Sequence, residues 1–286
     1  MIIIILEETT MIYKKINLKD YYPMLEDDVS LTAYCPDNSP EINPNRKRKT
    51  ILIFPGGGYE FCSYREAEPV ALRFLGYDFN CFVIIYNTKP KTHMSPTIEG
   101  MAAIAFIREH ADEYNVDINC VGTMGFSAGG HAAGTVAMRS ENKTVADILN
   151  VAPSLLKINF FISCYAVITF EKDKTHYGTM HWLSNDDEKL IEAYSIEKHV
   201  TKDFPPTYIF ATEDDTCVPA INSKLLDQAC LDNNVKVQCH IFPHGWHGLS
   251  LADRSVYTEI CTDKELESVK DVCGWVDEAI KFIREL

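Results

Sequence analysis

Short apolar runs of strand length alternate along this 286-residue chain with longer stretches in which apolar residues recur at three-to-four spacing. This alternation is typical of a mostly parallel β-sheet that helices cover on both faces. We therefore predict an α/β protein, with edge strands near 12–18 and 29–35 and core strands at 51–54, 81–86, 119–124, 159–165, 207–211 and 236–241. The predicted helices span 66–75, 97–114, 128–138, 220–231 and 263–284.

A single domain over residues 1–286 accounts for this pattern. Apolar residues make up 46% of the chain, so one large core can form without the help of bridges or metals. Residues 170–206 interrupt the alternation between the sixth and seventh strands with a polar stretch that contains Trp182. Insertions at strand ends commonly shape substrate pockets, which favours a small cap in this segment.

The first ten residues precede the strand pattern, which begins at Ile12. The apolar run at 2–6 is far shorter than a membrane span, and it lacks both a basic leading region and a small-residue cleavage site. We expect residues 1–10 to be a dispensable leader and Met11 to be an alternative start.

The charge balance argues against two classes of partner. The chain has 27 basic and 41 acidic residues, and its formal net charge of -14 repels phosphate backbones and anionic lipid surfaces. We therefore expect neither a nucleic-acid nor a membrane partner. A monomer and a homo-oligomer both stay open.

The cysteines and histidines do not form the spaced sets that bridges or metals require. Ten cysteines are scattered singly, several of them inside apolar runs where Cys behaves as a small hydrophobe. This pattern favours a reducing cytoplasm. The histidines form no H-E-x-x-H or similar ligand set, so we expect neither a metal nor a cofactor.

The strongest local motif is Gly125-Phe126-Ser127-Ala128-Gly129, which lies between a predicted strand and a predicted helix. A serine hydroxyl is a poor nucleophile unless a strained turn projects it towards a base, and the flanking glycines let the chain pass closely through such a turn. Outside this context the motif would be an ordinary glycine-rich turn. The strand-to-helix context predicts a nucleophilic Ser127.

A run of three glycines, Pro55-Gly56-Gly57-Gly58-Tyr59, follows the strand at 51–54. Its unshielded backbone N–H groups could meet the oxyanion that forms when an acyl carbonyl is attacked. A flexible turn or a phosphate-binding loop are the alternatives, although no G-K-[ST] follows the run.

Acidic and imidazole groups follow the seventh and eighth predicted strands, where a parallel sheet delivers residues to one edge. We predict that Asp214 or Asp215 orients His247 and that His247 is the general base, because the order Ser, Asp, His is the order of the α/β-hydrolase triad. His244 is the competing imidazole. His131, four residues after the serine, is expected to pack against the sheet.

These motifs together resemble the α/β-hydrolase esterases that include acetyl esterases, acetylxylan esterases and hormone-sensitive-lipase-like enzymes. The resemblance covers most of the chain and is carried by these segments: 55–59, 64–69, 125–131, 215–219 and 242–249. It implies an α/β-hydrolase fold, Asp215 as the acid of the triad, and an oxyanion hole made by the N–H groups of Gly57, Gly58 and Ala128. The chain departs from the family pattern at Pro55, where a histidine is common, and at Tyr86-Asn87, where a Tyr-Arg pair is common.

The resulting hypothesis is a serine carboxylesterase that hydrolyses short-chain acyl esters through an acyl-enzyme. The resemblance further implies acetyl groups on sugars or xylan fragments, that is, a small-molecule ester substrate. Two alternatives stay open. One is an amidase or peptidase on the same fold, and the other is a non-catalytic binding protein built on a hydrolase scaffold.

Overall fold

The computed structural model describes residues 11–89, 95–257 and 261–286. Within them, eight strands form one sheet in the order β1-β2-β4-β3-β5-β6-β7-β8. The strands are β1 (Ile12–Asn17), β2 (Ser30–Cys35), β3 (Arg48–Phe54), β4 (Asn80–Ile85), β5 (Val116–Phe126), β6 (Phe161–Cys164), β7 (Thr207–Thr212) and β8 (Val237–Phe242). Each of the eight lies where the sequence pattern predicted a strand.

The sheet is antiparallel only at one edge. β2 pairs antiparallel with both β1 and β4, and every other pairing, from β4 through β8, is parallel. The carboxyl ends of β3, β5, β6, β7 and β8 therefore meet at the same edge of the sheet, where an open α/β sheet forms its crevice.

Nine α-helices accompany the strands in the described part of the chain. They are α1 (Glu68–Leu75), α2 (Ser95–Glu109), α3 (Ser127–Ala137), α4 (Lys143–Leu149), α5 (Tyr177–Ser184), α6 (Glu188–Tyr194), α7 (Ile221–Asp232), α8 (Asp263–Ser268) and α9 (Trp275–Arg284). Residues of α2 and α3 belong to the hydrophobic core on one face of the sheet, and residues of α1 and α9 belong to the core on the other. The predicted fold class, a mostly parallel sheet with helices on both faces, is confirmed.

The prediction of one helix over 263–284 is wrong. The chain leaves the α-helical region at Val269, where φ is −117°, and a 3₁₀ turn at Val272–Gly274 separates α8 from α9. Val269 and Val272 are buried while all of α8 is at least partly exposed, so the turn redirects the chain to place Trp275 in the core. There Trp275 stacks on Phe210 with ring centroids 4.6 Å apart.

The segment 170–206 holds α5 and α6 and packs over the carboxyl edge of the sheet. Its Trp182 ring lies 5.0 Å from the ring of Tyr59, which follows β3. Its Ser195 Oγ accepts the Phe170 N–H at 3.0 Å, which ties the start of the segment to the residue that follows α6. The proposed leader at 1–10 lies outside the described residues.

All ten cysteines fall in the described part of the chain, and each carries a free thiol. No described helix combines the length and the apolar character needed to cross a membrane.

Candidate active site

Ser127 stands at a sharp turn between β5 and α3. Its φ of 54° lies in the left-handed region, which a non-glycine residue adopts only when its surroundings impose it. A Cβ on Gly125 would come within 2.2 Å of the Gly129 carbonyl oxygen, and a Cβ on Gly129 within 2.2 Å of the Pro55 oxygen. Only glycine fits at these two positions, and the tight turn that they allow projects the Ser127 hydroxyl from the sheet edge.

His247 bridges Ser127 and Asp215. Its Nε2 lies 2.8 Å from Ser127 Oγ, and its Nδ1 lies 2.7 Å from Asp215 Oδ2. The Asp215 side chain is 1% exposed, and its other oxygen accepts the N–H groups of Cys217 and Val218, each at 2.9 Å. A carboxylate held in this way accepts a hydrogen from Nδ1, which leaves the Nε2 lone pair free to accept the Ser127 proton.

A second histidine–aspartate pair joins the same two loops at the surface. His244 Nδ1 lies 2.8 Å from Asp214 Oδ2, and the two side chains are 76% and 57% exposed. Neither side chain hydrogen-bonds to Ser127. Of the two imidazoles and two carboxylates that the sequence left in competition, the structure brings His247 and Asp215 to the serine.

The glycine run after β3 lies beside Ser127 and exposes backbone donors. Gly57 and Gly58 line the same cleft as the serine, with φ values of 134° and 64°. Their N–H groups have no acceptor among the residues that the structure describes. The N–H of Ala128 is in the first turn of α3, where helical N–H groups lack an acceptor within the helix. These three N–H groups are therefore the candidates for an oxyanion hole beside the serine.

The cleft above Ser127 has a volume of about 410 Å³. Most of the side chains around it are polar or charged: Glu60, Ser63, Arg65, Glu66, His176, Cys217 and His247. The large apolar exception is Phe61, which is 59% exposed. The cleft is thus suited to a polar ligand with a small apolar part.

His176 is a cleft residue that the sequence analysis did not single out. It comes from the 170–206 segment, and its Nδ1 lies 2.9 Å from Thr179 Oγ1 at the start of α5. Burial, together with the charge of His247, lowers the pKa of His176 below its ordinary value. The only signal in the sequence was its place in a predicted cap, which does not show where a side chain points.

His131 is buried, but its hydrogen bonds and its stacking partner lie in the glycine loop and the 170–206 segment, not on the sheet strands against which we expected it to pack. Its Nε2 donates to the Tyr194 carbonyl oxygen at 2.9 Å, so its Nδ1 accepts from the Tyr59 hydroxyl, also at 2.9 Å. Its ring stacks on Phe170 at 4.7 Å. Burial lowers the pKa of His131 to about 4. The residue therefore ties the glycine loop to the 170–206 segment as a neutral imidazole.

No group of three or more His, Cys, Asp and Glu side chains in the described ranges is arranged to hold a metal ion.

Known proteins resemble this chain in sequence and in structure. It is 33% identical over 227 residues to endo-1,4-beta-xylanase B of Butyrivibrio fibrisolvens, and the matched region covers 76% of this chain and 35% of that protein. It is 27% identical to the acetylxylan esterase of Xylanibacter ruminicola, covering 71% of this chain and 42% of the relative. The chain thus spans less than half the length of either curated relative.

A solved structure matches almost the whole chain. The acetyl ester-xyloside bifunctional hydrolase from Caldicellulosiruptor lactoaceticus superposes with a TM-score of 0.76 at 31% identity, covering 94% of this chain and 97% of that one. The BD-FAE family model matches residues 38–230, which include Ser127, Asp215 and the glycine run. The resemblance inferred from the motifs is confirmed, and the chain belongs to the BD-FAE family of α/β-hydrolase esterases.

Proposed function

We propose that this protein is a serine carboxylesterase that removes short acyl groups, acetyl above all, from sugars or xylan fragments. The observation that carries the proposal is the double contact of His247, which lies 2.8 Å from Ser127 and 2.7 Å from a buried Asp215 beside unoccupied backbone donors. This is the geometry that nucleophilic catalysis by a serine needs.

In the first half of the reaction, Ser127 Oγ attacks the ester carbonyl carbon while His247 Nε2 takes the hydroxyl proton. The carbonyl oxygen becomes an oxyanion, which the N–H groups of Gly57, Gly58 and Ala128 stabilise. The tetrahedral intermediate then collapses. The bond to the alcohol breaks, the alcohol leaves with the proton from His247, and the acyl group stays on Ser127.

In the second half, water takes the place of the alcohol. His247 removes a proton from the water, whose oxygen attacks the acyl carbon, and the same donors stabilise the second oxyanion. Collapse returns the proton to Ser127 and releases the carboxylic acid. Asp215 stabilises the imidazolium in both halves and keeps His247 in the productive tautomer.

The choice of an acetylated sugar draws on the relatives and on the cleft. The three similar proteins are named for xylan or xylosides, and two of them for acetyl esters. A cleft of about 410 Å³ with mainly polar walls suits a short acyl group on a polar alcohol, whereas a long chain needs a continuous apolar groove. Phe61 offers an exposed aromatic face at the rim for a sugar ring.

The site gives less support to the alternative functions, which are amide hydrolysis, binding without catalysis and xyloside hydrolysis. A triad does not itself choose between esters and amides, but family membership favours esters. A binding protein has no need of a hydrogen-bonded Ser-His-Asp line. Xyloside hydrolysis would require two available carboxyl groups, whereas Glu60 is paired with Lys89 and Glu66 accepts two hydrogen bonds.

A substrate panel on the purified protein tests the proposal. It contains nitrophenyl acetate, butyrate and octanoate, acetylated xylo-oligosaccharides, the anilide of the acetyl group and nitrophenyl xyloside. We expect acetyl esters to exceed octanoyl esters in kcat/KM by more than roughly tenfold. We also expect acetate release from the oligosaccharides and negligible turnover of the anilide and the xyloside.

The control is Ser127→Ala protein prepared in the same way. Faster turnover of octanoate than of acetate would overturn the short-chain assignment, and preference for the anilide would overturn the esterase assignment. If the wild-type protein matched Ser127→Ala on every substrate, the hydrolase proposal would fail altogether.

A further inference from the structure

A chain of hydrogen bonds runs beneath the cleft and joins the glycine loop to the loop that carries His247. Gly56 N–H donates to Glu66 Oε2 at 2.8 Å, and the Tyr165 hydroxyl donates to Glu66 Oε1 at 2.7 Å. The same hydroxyl accepts the N–H of Ser250 at 2.8 Å, three residues after His247. The Glu66 carboxylate thus contacts the glycine loop directly and is linked to the His247 loop through the Tyr165 side chain.

The donor and the acceptor of each hydrogen bond in this series are fixed by chemistry. The two backbone N–H groups at its ends can only donate, so Tyr165 accepts from Ser250 and points its own hydrogen at Glu66. Glu66, which is 3% exposed, therefore accepts on both oxygens. Burial raises its pKa, against the lowering effect of the Tyr165 and Gly56 hydrogen bonds.

Gly56 lies between Glu66 and the proposed nucleophile, so it links the positions of the two side chains. A Cβ on Gly56 would lie 2.7 Å from Glu66 Oε2 and 3.0 Å from Ser127 Cβ, so the Gly56 backbone is wedged between the two side chains. The next two residues are the donors Gly57 and Gly58. A shift of the Gly56 amide therefore moves the proposed oxyanion donors relative to Ser127.

Tyr165 links Glu66 to the loop that carries His247. Tyr165 and Ser250 both have positive φ values, 36° and 52°, which persist only where tertiary contacts impose them. The Tyr165 ring stands edge-on to the His247 ring, with centroids 5.2 Å apart. Ser250 is further fixed by its Oγ, which donates to the Arg65 carbonyl oxygen at 2.6 Å next to Glu66 in the chain.

We infer that Glu66 is a positioning residue for the proposed esterase reaction. Through Gly56 and Tyr165, it fixes the position of the oxyanion donors relative to the loop that carries His247. It contacts neither Ser127 Oγ nor the ring of His247 by a hydrogen bond, and acts through the groups that do the chemistry. The inference rests on the proposed function for its kinetic readout, but its structural readout does not.

Two variants test the inference, and the chain offers a matched control. Glu66→Gln keeps the shape but can accept from only one of the two donors, and Tyr165→Phe removes the link to Ser250. The control is Glu68→Gln, two residues along. Glu68 also accepts from two tyrosine hydroxyls, those of Tyr34 and Tyr64, neither of which lines the cleft.

We expect Glu66→Gln to lower kcat on nitrophenyl acetate by about 10- to 100-fold with KM within about threefold, since loss of a whole oxyanion donor costs about 10²–10³ in kcat. Tyr165→Phe should act in the same direction. The double variant should cost little more than the worse single variant, because both changes break one chain. Glu68→Gln should keep the wild-type kcat.

Hydrogen exchange gives a readout that does not need a substrate. The Ser250 amide, which Glu66 does not touch, should exchange faster in Glu66→Gln than in the wild type or in Glu68→Gln. Wild-type exchange at Ser250, or kinetic effects that add in the double variant, would overturn the inference. An inactive wild-type protein would overturn the proposed function instead, and the exchange result would still decide the role of Glu66. If Glu66→Gln did not fold, Tyr165→Phe would carry the kinetic measurement, and the exchange of the Gly56 amide, which Glu66 contacts and Tyr165 does not, would replace that of Ser250; wild-type exchange at Gly56 would then overturn the inference.

Discussion

Two histidine–aspartate pairs join the same two loops of this protein, and of the two only one lies against Ser127, the proposed nucleophile. His247–Asp215 and His244–Asp214 both connect a histidine Nδ1 to a carboxylate Oδ2, at 2.7 Å and 2.8 Å. The aspartates are adjacent in the chain, and the histidines are three residues apart. By residue type and by hydrogen-bond length, the two pairs are nearly the same.

Their surroundings differ. The side chains of His247 and Asp215 are 21% and 1% exposed, and Asp215 also accepts two backbone N–H groups, whereas the outer pair is mostly exposed to water. The free nitrogen of His247 contacts Ser127. We therefore expect only His247 to act as a base, because its carboxylate is held, screened from water and aligned with a serine.

Removal of each imidazole in turn is the strongest test of this comparison. His247→Ala should lower kcat on nitrophenyl acetate by roughly five to six orders of magnitude, since loss of the base alone disables a triad. His244→Ala should leave kcat within about twofold of the wild type, since an exposed side chain away from the nucleophile contributes little. Equal losses in the two variants would break the comparison.

The carboxylates give the next largest effect. Asp215→Asn should lower kcat by roughly four orders of magnitude, because the amide no longer holds the productive tautomer or stabilises the imidazolium. Asp214→Asn, one residue away, should change kcat by less than about threefold. Steady-state kinetics on both proteins would settle the ranking, and a larger loss for Asp214→Asn would reverse the assignment.

The sequence alone predicted the fold more completely than it predicted which histidine–aspartate pair lies beside Ser127. The central strands were predictable because they are short apolar runs between turn residues, as expected of strands buried on both faces. The edge strand β1 was predictable from its alternation of polar and apolar residues instead. The break between α8 and α9 was not predictable from periodicity, since Val269 and Val272 continue an apolar pattern while turning the chain. The short helices α4 and α5 are too brief for a periodic signal.

The site shows the same limit. The motif around Ser127 depends on local turn geometry, which a sequence records, and so its place in the fold was predictable. Asp214 and Asp215 lie on a loop without a two-residue alternation, so only the family resemblance separated them. Glu66 was missed because a sequence does not show which glutamate of Arg65-Glu66-Ala67-Glu68 is buried.

A third histidine sharpens the comparison, because His131 is buried without a carboxylate partner. Burial lowers its folded pKa to about 4, below the value of about 6.5 expected in the unfolded chain. The unfolded state therefore binds more protons below pH 6.5, so His131 makes stability fall as pH falls from about 6.5 to 4. From pH 7 to pH 5 its contribution to the loss of unfolding free energy is roughly 2 kcal/mol.

Urea unfolding of the wild type and of His131→Gln measures this contribution. Glutamine can both donate to Tyr194 and accept from Tyr59, but it does not titrate. The wild type should lose roughly 2 kcal/mol more than the variant between pH 7 and pH 5, and the two should respond alike above pH 8. The same acid response in both proteins would refute the buried neutral imidazole.

The smallest expected effect belongs to the outer pair. A double-mutant cycle on His244→Ala and Asp214→Asn should give a coupling free energy below about 1 kcal/mol, because water and salt screen an exposed pair. Added salt should reduce the coupling further. A coupling well above this range that resists salt would mean that the outer pair is not the solvated counterpart of the inner one.

The most direct test of the account is covalent labelling by a fluorophosphonate, in which an activated serine oxygen attacks phosphorus and fluoride leaves. Peptide mapping by mass spectrometry then identifies the modified residue. We expect one label per chain on Ser127, none on Ser127→Ala, and slow labelling of His247→Ala but wild-type labelling of His244→Ala. A wild-type protein that does not react, or labelling that persists unchanged in Ser127→Ala, would contradict the central claim.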